Sequence, residues 1–241
     1  MMFLTYLFHS GYLIEAKTCV LLFDYFQDTQ GNDNGILHDF LSECKKPVYI
    51  FVTHFHADHY NPVILTWKEK YKQIVFHYIF SNDIRRRRGV SQNEALFLRR
   101  GEEYKDDLLY VKAYGSTDAG VSFYIGLERM QLFHAGDLNN WHWKDESTPE
   151  EIIQSERAYE RELDFIARDQ PAFDVVMFPV DPRLGSDYSK GALQFVERFH
   201  PKVFCPMHFG MAYYVCKEFS KIVPNDCKVI EWTDKGQQIR I

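Results

Sequence analysis

The sequence lacks a hydrophobic run long enough to cross a membrane. A spanning helix needs roughly 20 consecutive apolar residues, and no stretch of the chain approaches that length. The N-terminal stretch carries His9 and Glu15 early and has no basic segment before its apolar residues. We therefore expect a first strand there rather than a signal peptide, and no association with membranes.

Cysteine is scarce and its spacing is irregular. The chain has five cysteines, an odd number, and no two of them form a CxxC pair. Scattered thiols are typical of a reducing compartment, whereas small disulfide-held domains need paired cysteines. With 46% hydrophobic residues in 241, the chain can build a core without cross-links. We expect a cytoplasmic protein.

The chain also has fewer basic than acidic residues. The net charge is −6, which argues against a dedicated nucleic-acid binder. The local exception is Arg85–Arg88, with Arg99 and Arg100 nearby. We interpret this run as a solvated loop or helix start; the alternative is an anion or phosphate contact at the mouth of a site.

The chain contains no linker, internal repeat or low-complexity tract, so we predict a single domain over residues 1–241. Blocks of strands are flanked by helices, which predicts an α/β fold with two sheets packed face to face and helices outside. The predicted strands are Met2–His9, Tyr12–Glu15, Thr18–Tyr25, Pro47–Thr53, Ile74–Phe80, Leu108–Tyr114, Val121–Leu127, Arg129–His134, Asp174–Pro179, Lys202–Pro206 and Val229–Trp232. The predicted helices are Gly35–Glu43, Asn61–Tyr71, Pro149–Arg168, Ser189–Phe199 and Ala212–Lys221.

One segment concentrates metal-binding side chains. The run HFHADH places His54, His56, Asp58 and His59 within six positions, directly after the apolar strand that ends at Thr53. His54 and His56 are two residues apart, so they point the same way in extended backbone. Imidazole and carboxylate together suit zinc and its first-row neighbours. Burying so many polar groups without a ligand would be costly, which favours a metal site.

The motif HFHADH resembles the HxHxDH signature of the metallo-β-lactamase superfamily. Three further segments resemble that superfamily in the same order along the chain. The strand ending at Asp24 resembles its early strand with a buried Asp, FHAGD ending at Asp137 resembles the segment with a bridging Asp, and FCPMH ending at His208 resembles the late strand that completes the second metal site. The fold implied is a four-layer αββα sandwich, with the metals at the sheet edges between the two sheets.

The resemblance also implies roles for individual residues. Asp24 and Ser116 are expected to lie behind the ligands rather than bind metal, and Asp58 is expected to orient the nucleophile and accept its proton. The metal ligands it implies are His54, His56, Asp58, His59, Asp137 and His208. Within the superfamily, the layout is most similar to the compact branch that includes ascorbate-phosphate lactonase.

The pattern breaks at one position. The superfamily supplies a third His to the first metal from a Gly-His-Thr turn, and here Ser116 occupies that position. A neutral hydroxyl is a poor zinc ligand. Asp118 or His142 is a candidate substitute ligand; otherwise the first metal is weak or absent, or the centre is degenerate.

The sequence therefore predicts a hydrolase with one or two zinc ions, manganese and iron remaining open, that uses metal-activated water on an ester, lactone, amide or phosphodiester. We expect the substrate to be a small, anionic metabolite. Arg183 is a candidate clamp for its anionic group, the alternative being a surface pair with Asp181 or Asp187, and Trp141 is a candidate pocket wall. The alternative functions are a non-catalytic metal-binding protein and, least favoured, a nucleic-acid phosphodiesterase. Oligomeric state cannot be read from the sequence.

Overall fold

The structure, a computed structural model, describes residues 2–31 and 34–241. By compactness, the chain divides into two units. The first runs up to Leu98 and also includes Asp234–Ile241, and the second is Arg99–Thr233. The single domain over 1–241 stays a prediction. Both units combine one large mixed sheet with helices, so the predicted α/β class is confirmed.

The first unit contains a seven-stranded sheet in the order β14-β1-β2-β3-β4-β5-β6. The strands β14, β1, β2 and β3 pair antiparallel, and β3, β4, β5 and β6 pair parallel. The strands are β1 (Phe3–Phe8), β2 (Gly11–Glu15), β3 (Val20–Phe23), β4 (Val48–Val52), β5 (Phe76–Ser81), β6 (Leu96–Leu98) and β14 (Gln238–Arg240). The unit's helices are α1 (Ile36–Glu43), α2 (Trp67–Lys70) and α3 (Asn82–Arg87), with a 3₁₀ turn at Pro62–Thr66.

The second unit repeats this arrangement with a sheet in the order β13-β12-β11-β10-β9-β8-β7. Pairing is antiparallel from β7 to β10 and parallel from β10 to β13. The strands are β7 (Glu103–Lys105), β8 (Leu109–Tyr114), β9 (Ser122–Leu127), β10 (Met130–His134), β11 (Val175–Pro179), β12 (Val203–Met207) and β13 (Lys228–Val229). The unit's helices are α4 (Pro149–Ala167), α5 (Lys190–Phe199) and α6 (Tyr214–Ser220), with a 3₁₀ turn at Pro182–Asp187.

The parallel strands explain where functional residues lie. Strands β4 and β11 are buried along their whole length, as their sequences VYIFV and VVMFP require for strands covered on both faces. Parallel strands end at the same edge of a sheet, and the loops after them are the usual places for ligand-binding side chains. In the first unit Asp24 follows β3 and His54 closely follows β4; in the second, Asp137 closely follows β10 and His208 follows β12.

The start of helix α1 depends on a buried carboxylate. Asp28 accepts hydrogen bonds from the backbone N–H groups of Leu37 and His38, at 3.2 and 2.9 Å, and from the His38 ring at 2.8 Å. These bonds satisfy N–H groups that the first turn of a helix leaves without partners. Gly35, at φ 142°, is required here because a Cβ would lie 2.5 Å from the Asp28 carboxylate.

The structure differs from the sequence-based prediction in several details, among them β6, β7 and α3, which were not predicted. The single helix predicted at Asn61–Tyr71 is a 3₁₀ turn followed by the four-residue α2, because Asn61 caps the turn with Pro62 at its first position. The last strand predicted, Val229–Trp232, is reduced to the two-residue β13. Strand β14 was not predicted, because its three residues lack an apolar run and pair only with the distant β1.

The five cysteines, all within the described residues, are buried and none forms a disulfide. Core packing therefore holds each unit without covalent cross-links. Among the described residues, no helix has the length and apolar character needed to cross a membrane.

Candidate metal centre

The loop after β4 presents the HFHADH residues from a rigid base. His54 and His59 are fully buried, and His56 is half-buried. The rings of His54 and His59 lie 4.0 Å apart between centroids, and His54 Nε2 lies 3.0 Å from His56 Nδ1. The structure therefore brings together the three histidines that the sequence motif predicts as ligands.

Asp24 holds two of these rings from behind. Its Oδ2 accepts a hydrogen bond from His59 Nδ1 at 2.7 Å and another from the Thr53 hydroxyl at 2.6 Å. The Thr53 hydroxyl gives its proton to Asp24, so it accepts from His54 Nδ1, which lies 3.1 Å away. Both rings thus carry their proton on Nδ1 and present the lone pair of Nε2. Histidines that bind metal typically donate their other ring N–H to a carboxylate in this way.

Asp58 lies beside a histidine that the motif does not contain. Its Oδ2 is 3.1 Å from His9 Nε2 and 3.9 Å from His59 Nε2. His9, Asp58 and His59 each offer one ligand atom, and these atoms lie within 4.8 Å of one another. The Asp58 side chain is 40% exposed, so its carboxylate is open to solvent as a proton acceptor requires.

Helix α3 fixes the backbone of the same loop. The Phe55 N–H donates to Asp83 Oδ2 at 3.2 Å, and the Phe55 carbonyl accepts from Arg88 Nε at 2.8 Å. Arg87 lies over the Phe55 ring, with its guanidinium carbon 5.3 Å from the centroid. Part of the arginine run therefore positions the motif loop, a role that charge alone did not suggest.

In the second unit His208 joins two carboxylates. Its Nε2 lies 3.3 Å from Asp137 Oδ1, and its Nδ1 lies 2.9 Å from Asp181 Oδ2. Burial alone would raise the pKa of Asp181, but hydrogen bonds from His208 and Arg183 outweigh burial and lower it to about 2. Asp181 is therefore an anion at neutral pH, and it stands behind His208 as Asp24 stands behind His59.

Arg183 forms a bidentate pair with Asp181. Its Nε lies 3.0 and 2.9 Å from the two carboxylate oxygens, and its Nη2 also contacts Oδ2. Of the two roles weighed from the sequence, the structure shows this ion pair. The substrate-clamping role of Arg183 stays a prediction.

The turn that departs from the family pattern lies next to Asp137. Carboxylate oxygens of Asp118 and Asp137 lie within 4.8 Å of each other. The Asp118 N–H donates to the Ser116 hydroxyl at 3.3 Å, so Ser116 supports the backbone of the turn. Asp118 is exposed and Asp137 is buried, so the two carboxylates differ in their access to solvent.

Both ring nitrogens of His142 form hydrogen bonds with the backbone. Its Nδ1 accepts from the Lys144 N–H at 3.0 Å, and its Nε2 therefore carries the proton and donates to the Asp187 carbonyl at 3.3 Å. The side chain is buried with both ring nitrogens engaged. His142 therefore has both ring nitrogens hydrogen-bonded, whereas Asp118 lies near Asp137; a substitute-ligand role for either residue stays a prediction.

Trp141 lines an open cavity of about 480 Å³ and also contacts the loop that carries Asp137. Its indole N–H donates to the Asp137 carbonyl at 2.7 Å, and its ring packs edge-on against His208, 5.7 Å between centroids. The other face of the cavity is formed by helix α4. Trp141 therefore lines this cavity, and its role as the wall of a substrate pocket stays a prediction.

The spacing of the donor atoms fits metal ions. Two nitrogens bound at about 2.0–2.1 Å to one tetrahedral zinc ion lie about 3.4 Å apart. The pairs His54–His56, His9–Asp58 and His208–Asp137 have donor atoms 3.0, 3.1 and 3.3 Å apart. Within each unit, histidine nitrogens and carboxylate oxygens therefore converge as ligands of borderline transition metals do.

Three residues of these sets have strained backbones. His9, Asp24 and His208 have φ values of 56°, 41° and 65°. Left-handed backbone costs a non-glycine residue about 1–3 kcal/mol, and such residues concentrate at functional sites. The backbone is bent at these points to aim side chains.

Comparison with solved structures identifies the fold. The chain is similar to Igni18, a novel metallo hydrolase from Ignicoccus hospitalis, with a TM-score of 0.67 and 18% identity over 100% of this chain and 99% of that one. It is also similar to the metallo-β-lactamase fold protein YhfI from Bacillus subtilis, with a TM-score of 0.63 and 11% identity over 99% of this chain and 98% of that one. This chain has the metallo-β-lactamase fold. No family model matches the sequence.

A third similar structure is an iron enzyme. CmlA, a diiron β-hydroxylase from Streptomyces venezuelae, matches with a TM-score of 0.69 and 14% identity over 100% of this chain and 54% of that one. The metallo-β-lactamase fold thus occurs with more than one chemistry, and the fold alone does not select zinc for this chain.

Two residues of the candidate centre were missed from the sequence. His9 has no motif around it, and its only signal is its position before Ser10-Gly11, where a hairpin turns. Asp181 was considered only as a partner of Arg183, although it follows β11 just as Asp24 follows β3. A search for carboxylates after every buried strand would have found it.

Proposed function

We propose that this chain is a metal-dependent hydrolase of a small, anionic metabolite with an ester, lactone or phosphodiester bond. One observation carries the proposal: buried carboxylates fix the outer nitrogens of ligand-type histidines in both units, Asp24 behind His59 and Asp181 behind His208. Metal-ligating histidines characteristically have their outer ring nitrogen held by a carboxylate in this way.

The proposed ligands follow the motif and the geometry within each unit. Asp118 takes the place of the histidine that Ser116 replaces. Zinc is the proposed metal because imidazole and carboxylate suit it, with iron and manganese as the alternatives. The set consists of His54, His56, Asp58, His59, Asp118, Asp137 and His208.

Bound metal ions supply a Lewis acid and an acidified water to this chemistry. Asp58 orients the water and accepts its proton, for which its exposed carboxylate and its contact with His9 are suited. Asp24 and Asp181 keep the ligand rings in one tautomer and one orientation. Trp141 forms an apolar wall beside Asp137 against which a substrate packs.

We also propose a cytoplasmic location, since five cysteines that form no disulfide suit a reducing compartment. The narrower likeness to ascorbate-phosphate lactonase stays a prediction.

Metal content per chain tests the proposal first. Protein purified without chelator is analysed for zinc, iron and manganese, before and after Asp137→Ala. Two ions per chain, reduced by the substitution, support a binuclear hydrolase in which Asp118 completes the set. One ion supports a mononuclear enzyme, and none after reconstitution contradicts the proposal.

Activity is then measured on a panel of model esters, lactones and phosphodiesters. Asp58→Ala removes the proton acceptor and should abolish turnover, while the exposed Asp39→Asn serves as the matched control. Metal-loaded protein that binds two ions but cleaves nothing would support the alternative of a non-catalytic metal-binding protein.

A further inference from the structure

The cavity beside Trp141 has a basic wall. Helix α4 contributes Arg157 and Arg161, which lie one helical turn apart and therefore on one face of the helix. The lining is completed by Thr117, Trp141, Gln154, Ser155 and Ala158. Its volume of about 480 Å³ is in the range of pockets that hold small ligands.

The two arginines stand out against the rest of their helix. Helix α4 carries six acidic residues and only these two basic ones. Three of the acids pair with cations on other elements: Glu156 with Lys190, Glu162 with Arg100, and Asp164 with Arg198. Across residues 2–31 and 34–241, by contrast, no ion pair or hydrogen bond engages the guanidinium of Arg157 or Arg161.

Unpaired cations on an acidic helix call for an explanation. Acids are available three residues further along the same helix, Glu160 for Arg157 and Asp164 for Arg161, and such i,i+3 pairs would be mildly favourable. Both arginines instead line the cavity. A guanidinium group carries several N–H donors in a planar fork that can bind phosphate oxygens bidentately.

The opposite wall of the cavity belongs to the candidate metal centre. Trp141 donates its indole N–H to the Asp137 carbonyl at 2.7 Å. Thr117 lies between Ser116 and Asp118, and its hydroxyl donates to the Asn139 carbonyl at 2.6 Å. A molecule held in this cavity would therefore lie between α4 and the loop that carries Asp137.

We propose that Arg157 and Arg161 bind the phosphate group of the substrate, which is a small phosphorylated metabolite with an apolar or aromatic part that packs on Trp141. This inference rests on the proposed hydrolase function and names the substrate class of that site. The arginines bind this phosphate group for recognition, and the bond that is cleaved lies elsewhere in the substrate. Gln154 and Ser155 supply further polar contacts at the rim.

Benzylphosphonate, which carries a phosphate-like dianion and cannot be hydrolysed as an ester, is the probe. Its dissociation constant is measured by calorimetry on the metal-loaded protein, with benzyl alcohol as the neutral comparison. Arg157→Gln and Arg161→Gln should each weaken binding about tenfold, since each removes charge-assisted hydrogen bonds. The double substitution should weaken it further, and Arg161→Lys should restore part of the loss because it keeps the charge.

The control is Arg129→Gln, which removes the same charge from the exposed turn between β9 and β10 and should leave the constant within about twofold. An unchanged constant in the double variant would overturn the inference, since the probe would then be held by the metal alone. Metal content and turnover are measured on the same samples. Arginine-dependent binding without metal or turnover would contradict the proposed hydrolase while leaving the anion site in place.

Discussion

His208 Nδ1 lies 2.9 Å from Asp181 Oδ2, while the opposite nitrogen of the same ring lies 3.3 Å from Asp137 Oδ1. The Asp181 side chain is 1% exposed and has a pKa of about 2, because His208 and Arg183 outweigh the effect of burial. A fixed anion thus sets which nitrogen of His208 carries the proton and which one remains to bind metal.

Replacing Asp181 should therefore weaken metal binding without removing a ligand. Asp181→Asn keeps the shape of the side chain but removes its charge, and outer partners of metal-bound histidines are typically worth about 10–100-fold in metal affinity. Competition with a chelator measures the loss. Asp187→Asn is the control, since the Asp187 carboxylate pairs with the exposed Lys144 at 2.7 Å. Equal metal affinity in wild type and Asp181→Asn would show that His208 needs no support from this side.

His9 should position Asp58. His9→Asn keeps a residue that tolerates the left-handed backbone at φ 56°, but its side chain is too short to reach Asp58. We expect kcat to fall about 10-fold or more on whichever model substrate the wild type cleaves, with KM unchanged. His200→Asn makes the same substitution on a similar backbone, φ 47°, and should have no effect. Full activity in His9→Asn would show that the contact between His9 and Asp58 serves packing and does not position Asp58 for the reaction.

The turn at Ser116–Asp118 should determine how much metal the protein holds. Asp118→Asn should lower metal content or make one ion easier to remove, because a neutral amide is a poorer ligand than a carboxylate. Ser116→His restores the ligand type of the related family and should raise metal affinity. Elemental analysis after dialysis distinguishes these outcomes, with the exposed Asp107→Asn as control. If neither substitution changes metal content, the turn contributes no ligand and a different group completes the centre.

The pH dependence of stability should report the carboxylate at the start of α1. Burial raises the pKa of Asp28, but hydrogen bonds from His38, Thr29 and Leu37 lower it below its ordinary value of 3.8. Asp28 therefore contributes stability above pH 3.8 that is lost as the pH falls through its lower folded value.

Asp28→Asn should lower the free energy of unfolding by about 1–2 kcal/mol at pH 7, measured with urea, since one acceptor and the charge are lost. The difference from wild type should shrink below about pH 4. Asp39→Asn changes an exposed acid in the first turn of the same helix and should cost less. A difference between Asp28→Asn and wild type that stays constant down to pH 3 would contradict this assignment.

Much of the fold was predictable because burial leaves a clear pattern. Strands such as Val48–Val52 and Val175–Pro179 are continuous apolar runs, and their positions follow from composition alone. The motif from His54 to His59 was equally clear, because so many ligand types in six positions have no plausible structural reason. Asp24, Asp137 and His208 were found through the order of motifs rather than through any local signal.

Other features depend on contacts that the sequence does not encode locally. His9 meets Asp58 across 49 positions, and β14 pairs with a strand more than 230 residues away. The arginines of α4 look like ordinary surface residues until the helix places both on a cavity. Periodicity and spacing report on neighbours in the chain, so long-range polar pairs of this kind remain invisible to them.

Strand β14 has a consequence for the order in which the protein is made. It pairs with β1, yet it is synthesised only after the whole of the second unit, which lies between the two strands in the chain. Until then β1 exposes unpaired backbone groups to any other extended chain nearby, which is a recognised cause of aggregation. While the second unit is being synthesised, β1 therefore lacks this partner, and the pairing of β14 ends that interval.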